Sequence, residues 1–500
     1  MEGAAQSEFG PTWFSRVTAL PPARPALSYE IDVDVCVIGG GLAGLTVARE
    51  LVRRGWSVAV LEAKRIAWNA SGRNSGLVMP GYAANVEKVV ERIGLPAARA
   101  LWALSEAGVR CVRDTIAELG INSIVQGYGW LDVSKTGDRG AALARARLLS
   151  EELGVEVEPW SQEQVRDVLR SNRYFSAVNH PHAFQINPLA YALALADAAE
   201  RAGVHIFENS PATSIDPAGV RKRVPTPQGR VRAGRVVLAG NVYLGAVADR
   251  IAGSLVPVTA FTGVTKPLGP RLQSVISYRG AVSDSHYGDY SYRIIDGDRL
   301  MWTGGVSIRR RNARQMERRL ARAIRTTYPE LGSIAFDNFW SGTMGFAVHR
   351  MPQIGELSPG IWLASGFGGQ GINTCAIVGQ LVARAIAESD ATWQAFLPYE
   401  LVWAGGIAGR MVTQATLSWW QTSEAIAASL ARRREALQLR RQREAAGEPL
   451  EIVRRPAYRV VKASQRTPSE RLPARPSSEL PIAAPEAGGP AAVRDSEQTV

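Results

Sequence analysis

Residues 33–62 read as a strand, a tight glycine turn, a helix and a second strand, a unit that commits the chain to an α/β fold with a parallel sheet. The first strand is Val33-Asp34-Val35-Cys36-Val37-Ile38. Leu45, Ala48 and Leu51 share one face of a helix predicted from about Leu42 to Arg54, Gly55 stops it, and Ser57-Val58-Ala59-Val60-Leu61 forms the second strand. In the turn, Gly39-Gly40-Gly41-Leu42-Ala43-Gly44 has GxGxxG spacing. Glycines are common in any turn, so the spacing gains meaning only from the strand before it and the helix after it. Gly39 permits the tight turn, Gly41 lets backbone approach a pyrophosphate, and Gly44 lets helix pack on strand. The helix start adds free N–H groups and a positive dipole end. Glu62 closes the second strand, where a carboxylate accepts hydrogen bonds from ribose hydroxyls.

That pattern does not separate NAD from FAD, but two later segments do. Ala70-Ser71-Gly72-Arg73-Asn74-Ser75-Gly76 places small residues, an amide and a cation where a long cofactor continues past its pyrophosphate. Gly366-Phe367-Gly368-Gly369-Gln370-Gly371 opens a helix beginning at Ile372, whose dipole favours the anion of a reduced flavin. A buried strand at Arg235-Val236-Val237-Leu238-Ala239-Gly240 is expected to join the first sheet. From 256 to 345 the chain turns β-rich and aromatic, with Tyr287, Tyr290, Tyr292, Trp302, Phe336, Phe339 and Trp340, as a second domain would.

With these stretches, and with Arg24-Pro25-Ala26-Leu27, Leu61-Glu62-Ala63, Ile186-Asn187-Pro188, Val237-Leu238-Ala239-Gly240-Asn241, Tyr292-Arg293, Arg299-Leu300, Gly304-Gly305 and Arg350-Met351-Pro352-Gln353-Ile354-Gly355, the chain resembles the D-amino-acid-oxidase-like FAD-dependent oxidoreductases, most closely their gamma-glutamylputrescine oxidase group, over about 13–425. The resemblance implies a mixed α/β (α+β) enzyme with a discontinuous Rossmann-like FAD domain and a mixed β-sheet substrate domain over the flavin. The expected division is a leader at 1–29, FAD domain at 30–105, 186–255 and 346–430, substrate domain at 106–185 and 256–345, and a basic helix with a disordered tail at 431–500. It implies FAD contacts at Gly39, Gly41, Gly44, Glu62, Ala63, Ser71, Arg73, Asn74, Gly240, Gly366, Gly368, Gly369, Gln370, Gly371 and Ile372. Sarcosine oxidases of the family carry an oxygen-activating lysine on a substrate-domain strand; Leu300-Met301-Trp302-Thr303-Gly304 has none. Relatives with covalent flavin use a Cys or His near the ring. Neither occurs at 342–346, and His349 is out of place for that role, so FAD is expected without a covalent bond.

In amine oxidation of this kind, a neutral amine delivers a hydride to flavin N5 and water hydrolyses the imine, so the protein must desolvate and orient the substrate. Tyr290, Tyr292, Trp302, Arg293 and Arg350 are candidates to hold it, with Arg350, Tyr292 and Trp302 assigned as catalytic. A small amine, amino acid or gamma-glutamyl amine is the expected substrate and O2 the expected acceptor. The alternatives are a dehydrogenase serving a quinone or an electron-transfer flavoprotein, a flavoprotein modifying tRNA, and a flavin-binding scaffold acting through its Arg-rich helix.

Charge bears on the last two. Lys+Arg 58 against Asp+Glu 46 leaves +12, but five of those charges lie in residues 431–500, so the body is only mildly basic. Neither nucleic acid nor membrane is expected as a partner, since no apolar stripe is visible beside the arginines at 432–443. Three scattered cysteines fit neither a disulfide framework nor a metal site, and with no apolar leader or spanning segment they suit a cytoplasmic protein.

Overall fold

The computed structural model describes residues 9–284, 290–309 and 311–446; Tyr287 and the tail expected to be disordered lie outside these. The predicted unit forms as β1 (Glu30–Ile38), α1 (Leu42–Val52) and β2 (Val58–Leu61). It belongs to a seven-stranded sheet with β7 (His205–Phe207), β8 (Lys222–Pro225), β9 (Arg230–Leu238), β15 (Gln353–Ser358) and β16 (Ile361–Ser365). The order is β15-β16-β9-β1-β2-β7, with β8 on β9. β1 pairs in parallel with β2 on one side and with β9 on the other, so the chain crosses over in opposite directions from it. A crevice at such a switch point is where ligands bind in open α/β sheets.

Both faces of this sheet are covered. Val35, Val37, Val58 and Val60 face α1 together with α2 (Leu95–Glu118), α3 (Pro188–Arg201) and α5 (Gly371–Glu388), while Cys36, Ile38, Ala59 and Leu61 face a second cluster with Val231, Val236 and Leu238. The helical pattern near 86–116 is two helices broken at Gly94. The leader is less extended than expected. Trp13–Val17 forms a one-turn helix with a Thr12/Ser15 capping box, and Trp13 and Phe14 are buried in the core. Beyond it, the Arg24 guanidinium meets Asp197 at 2.6 Å and Glu200 at 2.8 Å. Glu208, fully buried, accepts from the Arg24 N–H, the Ile66 N–H and Arg65 Nε at 2.7–2.8 Å. Removing Arg65 from this buried charge would cost about 3–5 kcal/mol, and the backbone N–H of Arg24 ties the leader to the same carboxylate.

The nine-stranded sheet contains β3 (Leu77–Val78), β4 (Val125–Ser134), β5 (Glu158–Trp160), β6 (Ser176–Ile186), β10 (Leu255–Thr265), β11 (Ala281–Ser283), β12 (Tyr290–Ile295), β13 (Arg299–Ser307) and β14 (Phe336–Ala347). Its order is β14-β10-β13-β12-β11-β4-β6-β3, with β5 on β6. Its outer face packs against the amphipathic α4 (Ala313–Thr327), which buries Met316, Leu320 and Ile324. The basic helix is the end of a much longer one, α6 (Gly406–Ala445). No helix among the described residues is long and apolar enough to cross a membrane, and no group of His, Cys, Asp or Glu among them could hold a metal ion.

Candidate active site

The C-terminal ends of β1, β2 and β9 open into a cavity of about 620 Å³, closed opposite by the inner face of the nine-stranded sheet. At the glycine turn its wall is bare backbone. Gly39 holds φ +116°, and a Cβ there would lie 2.7 Å from the Ala239 carbonyl. Gly44 does not face the cavity; its missing Cβ would stand 2.0 Å from the Gly39 carbonyl oxygen, so it lets α1 sit on the turn. Gly41 and Gly371 do face the cavity, at the starts of α1 and α5. Two positive dipole ends therefore converge on it.

Glu62 lines the cavity and accepts from the Gly40 N–H at 2.8 Å and the Lys64 N–H at 2.9 Å. Burial pushes its carboxyl above the usual range, and these N–H donors offset part of that rise. Ser71 Oγ accepts from the Leu42 N–H at 3.0 Å. Asn74 donates to the carbonyls of Ala70 and Ser71 and accepts from the Gly76 N–H, so its amide shapes the loop that walls the cavity. Arg73 donates to the carbonyls of Trp68, Ser341 and Phe9, tying that loop to β14 and to the N-terminal segment.

The opposite wall was not legible as a site. Ser283, Ser291, Thr303 and Thr262 occupy consecutive register positions on β11, β12, β13 and β10, and all four line the cavity. Thr262 Oγ1 and Thr303 Oγ1 share a hydrogen bond of 3.0 Å. The described residues that this sheet contributes to the lining carry no Lys, Arg, His, Asp or Glu side chain.

Whether a flavin dinucleotide fits can be tested on the cradle itself. Gly39, Gly41, Gly240, Gly369 and Gly371 bring backbone without side chains to the lining, as the close approach of a pyrophosphate requires. With Glu62 at the end of β2 and two helix starts for phosphate and ring, the donor set fits FAD.

Residues 34–385 match the family described as FAD dependent oxidoreductase. This chain belongs to that FAD-dependent family. It is 31% identical over 376 residues to gamma-glutamylputrescine oxidoreductase of Escherichia coli K12, covering 74% of this chain and 87% of that protein. Among solved structures, it is similar to glycine oxidase from Geobacillus kaustophilus (TM-score 0.63, 20% identity, covering 74% of this chain and 99% of that one) and to L-proline dehydrogenase from P. horikoshii (TM-score 0.61, 19% identity, covering 75% and 98%).

Of the residues expected at FAD, Gly39, Gly41, Glu62, Ala63, Ser71, Arg73, Asn74, Gly240, Gly368, Gly369, Gln370, Gly371 and Ile372 line the cavity; Gly44 and Gly366 support it from behind. The three expected catalytic residues do not line it. Strand alternation puts Ser291 and Thr303 on the inner face and turns Tyr292 and Trp302 outward, where their rings stack at 4.2 Å. Tyr292 Oη there hydrogen-bonds Tyr174 Oη at 3.0 Å and Tyr328 Oη at 2.7 Å, which makes the pair core. Tyr290, at the strand's start, does reach the lining. Arg293 is buried against Gln126 and the Ile186 carbonyl, and desolvation lowers its pKa to about 9. His349 accepts from the Met351 N–H through Nδ1, and its Nε2 meets the Glu400 carbonyl oxygen, which makes it a strut between chain segments.

Arg350 sits in the β14–β15 turn with φ +60°, its guanidinium over the rings of Phe346 at 5.7 Å and Trp420 at 5.3 Å. Arg350→Met should therefore change flavin reduction and reoxidation by less than about twofold while lowering stability by about 0.5–2 kcal/mol. Stopped-flow traces and thermal unfolding check both parts. A selective loss of reoxidation would restore a role at the flavin. Cys375 also lines the cavity, but burial pushes its thiol well up, so it stays protonated and a poor nucleophile.

Proposed function

We propose that this chain oxidises the CH–NH bond of a small amine of the gamma-glutamyl-amine kind, holds FAD without a covalent bond, and uses dioxygen as the acceptor. The observation that carries this reading is the uncharged hydroxyl wall facing the nucleotide cradle across one cavity. Kinship with a gamma-glutamylputrescine oxidoreductase supports the substrate class. When bound, the flavin supplies the hydride acceptor and later returns two electrons. The protein's work is positional. The Thr262–Thr303 pair shares one proton, leaving a hydroxyl donor and lone pairs to grip an amine nitrogen. Leu77, Met79 and Met344 in the lining exclude water and favour the neutral amine over its ammonium form. The α5 N-terminus stabilises negative charge that develops on its side of the cavity. The overall reaction consumes amine, water and O2 and yields a carbonyl compound, H2O2 and the released nitrogen as ammonia or, from a secondary amine, as the remaining amine.

The test is a panel of gamma-glutamyl amines, free amines, N-methyl amino acids and glycine, with carbonyl product and H2O2 both measured. Equal amounts of the two products from a gamma-glutamyl amine support the reading. Turnover only with a quinone or an electron-transfer flavoprotein would make the enzyme a dehydrogenase. Thr303→Val keeps the shape and removes the hydroxyl, so kcat/KM should fall about tenfold with FAD content unchanged. Full activity in that variant would remove the wall from the mechanism.

A further inference from the structure

The helix α6 carries two apolar faces, and only one of them is used. Leu417 and Ala428 are buried against the body, and on the same side Glu435 pairs with Arg166 at 2.6 Å and Glu424 approaches Lys135 at 4.0 Å. On the opposite side, Val412, Trp419, Ile426, Leu430 and Leu437 follow one another at intervals of seven, seven, four and seven residues, a helical period, and all are exposed. Trp419 is 71% exposed and Leu437 56%. At 1.5 Å per residue this stripe runs for roughly 40 Å. The two apolar faces cancel in any average around the helix, which is why no stripe was visible in the sequence.

Charge decides what covers it. Arg433 and Arg434, both exposed, flank the stripe between Leu430 and Leu437. The acidic residues of α6 up to Arg440, Glu424 and Glu435, both face the body. Between Val412 and Leu437 the outer face of α6 therefore carries no carboxylate, so packing α6 on α6 there would set arginines against like charges, whereas an anionic lipid surface offers apolar depth and phosphate at once. The chain's net charge of +12 adds long-range attraction. We propose that the outer face of α6 lies flat on an anionic phospholipid surface, with Trp419, Ile426, Leu430 and Leu437 in the headgroup boundary and Arg433 and Arg434 on lipid phosphates.

The experiment is co-sedimentation of the full-length, FAD-loaded protein with vesicles of phosphatidylglycerol and phosphatidylcholine in equal parts, and with phosphatidylcholine alone, at low and high salt. Binding to the mixed vesicles is expected, weakened by salt and much reduced on phosphatidylcholine. The double variant Arg433→Ala/Arg434→Ala should bind about thirtyfold more weakly, and Trp419→Ala/Ile426→Ser should lose binding. FAD content and thermal unfolding serve as controls, because all four side chains point away from the body. Absence of binding at low salt would overturn the proposal, as would binding that neither variant changes. A concentration-dependent dimer lost in Trp419→Ala/Ile426→Ser, with no vesicle binding, would assign the face to a second copy instead.

Discussion

Gly44→Ala is expected to abolish the folded, yellow protein. The added methyl would lie 2.0 Å from the Gly39 carbonyl oxygen and 3.1 Å from Val37 Cγ1, so α1 must retreat by more than about 1 Å. It has nowhere to go. On its other side α1 is pressed against α5, where even Gly379 leaves only 2.6 Å between a would-be Cβ and Thr46 Cβ. Overpacking at a site hemmed in by backbone should cost more than about 4 kcal/mol. Soluble expression, thermal unfolding and flavin absorbance measure it. The informative control is Gly371→Ala. Its methyl meets no protein atom within 4 Å, yet Gly371 lines the cavity. The apoprotein should be as stable as wild type or gain roughly 0.5 kcal/mol of helix propensity, while FAD binds about tenfold more weakly. Equal FAD affinity in this variant would mean that the start of α5 is not against the cofactor.

Glu62→Ala should weaken FAD binding by about 1–3 kcal/mol, because it removes the buried acceptor at the end of β2 and frees the Gly40 N–H that it holds. Fluorescence titration of apoprotein with FAD measures this, and an unchanged affinity would misplace the ribose. A pH dependence follows from the same residue. Burial raises the folded carboxyl pKa above its unfolded value. Its contribution to apoprotein stability is therefore fully present below the unfolded pKa and is lost as pH rises through the raised folded value. FAD needs the ionised acceptor, so its affinity should move the other way and weaken as pH falls into that window. In Glu62→Gln the dependence should flatten.

The nucleotide half of the site was legible because its signals are contiguous: Gly39 to Gly44 and Glu62 lie within one strand-helix-strand unit whose periodicity changes from two to 3.6 and back. The hydroxyl wall was not. Ser283, Ser291, Thr303 and Thr262 become neighbours only through strand register, which no local pattern encodes. Alternation alone could have warned against Tyr292 and Trp302, since each is next in sequence to a small polar residue and only one of the two can face inward. Arg350 misled for a different reason. It adjoins a family-like stretch, but its turn directs the guanidinium onto two aromatic rings. The broken leader escaped notice because Trp13 and Phe14 are only a turn of helix, too short to show a period.

The central strand of the flavin-side sheet is among the first parts made and among the last completed. β1 ends at Ile38, its partner β9 begins at Arg230, and α5 begins at Gly371, more than 330 residues after β1. At about 5–20 residues per second on a ribosome, roughly 20–70 s separate these events. Throughout that interval Val35, Val37 and Leu45 have lost neither solvent nor competitors, and the sheet has an open parallel edge, the slowest kind of pairing to form. Free FAD cannot rescue this stage by mass action, because a ligand stabilises only a site that exists. Cofactor supply therefore acts only on the completed sheet, and scarcity of riboflavin would show as loss of finished enzyme, not as a defect in early folding.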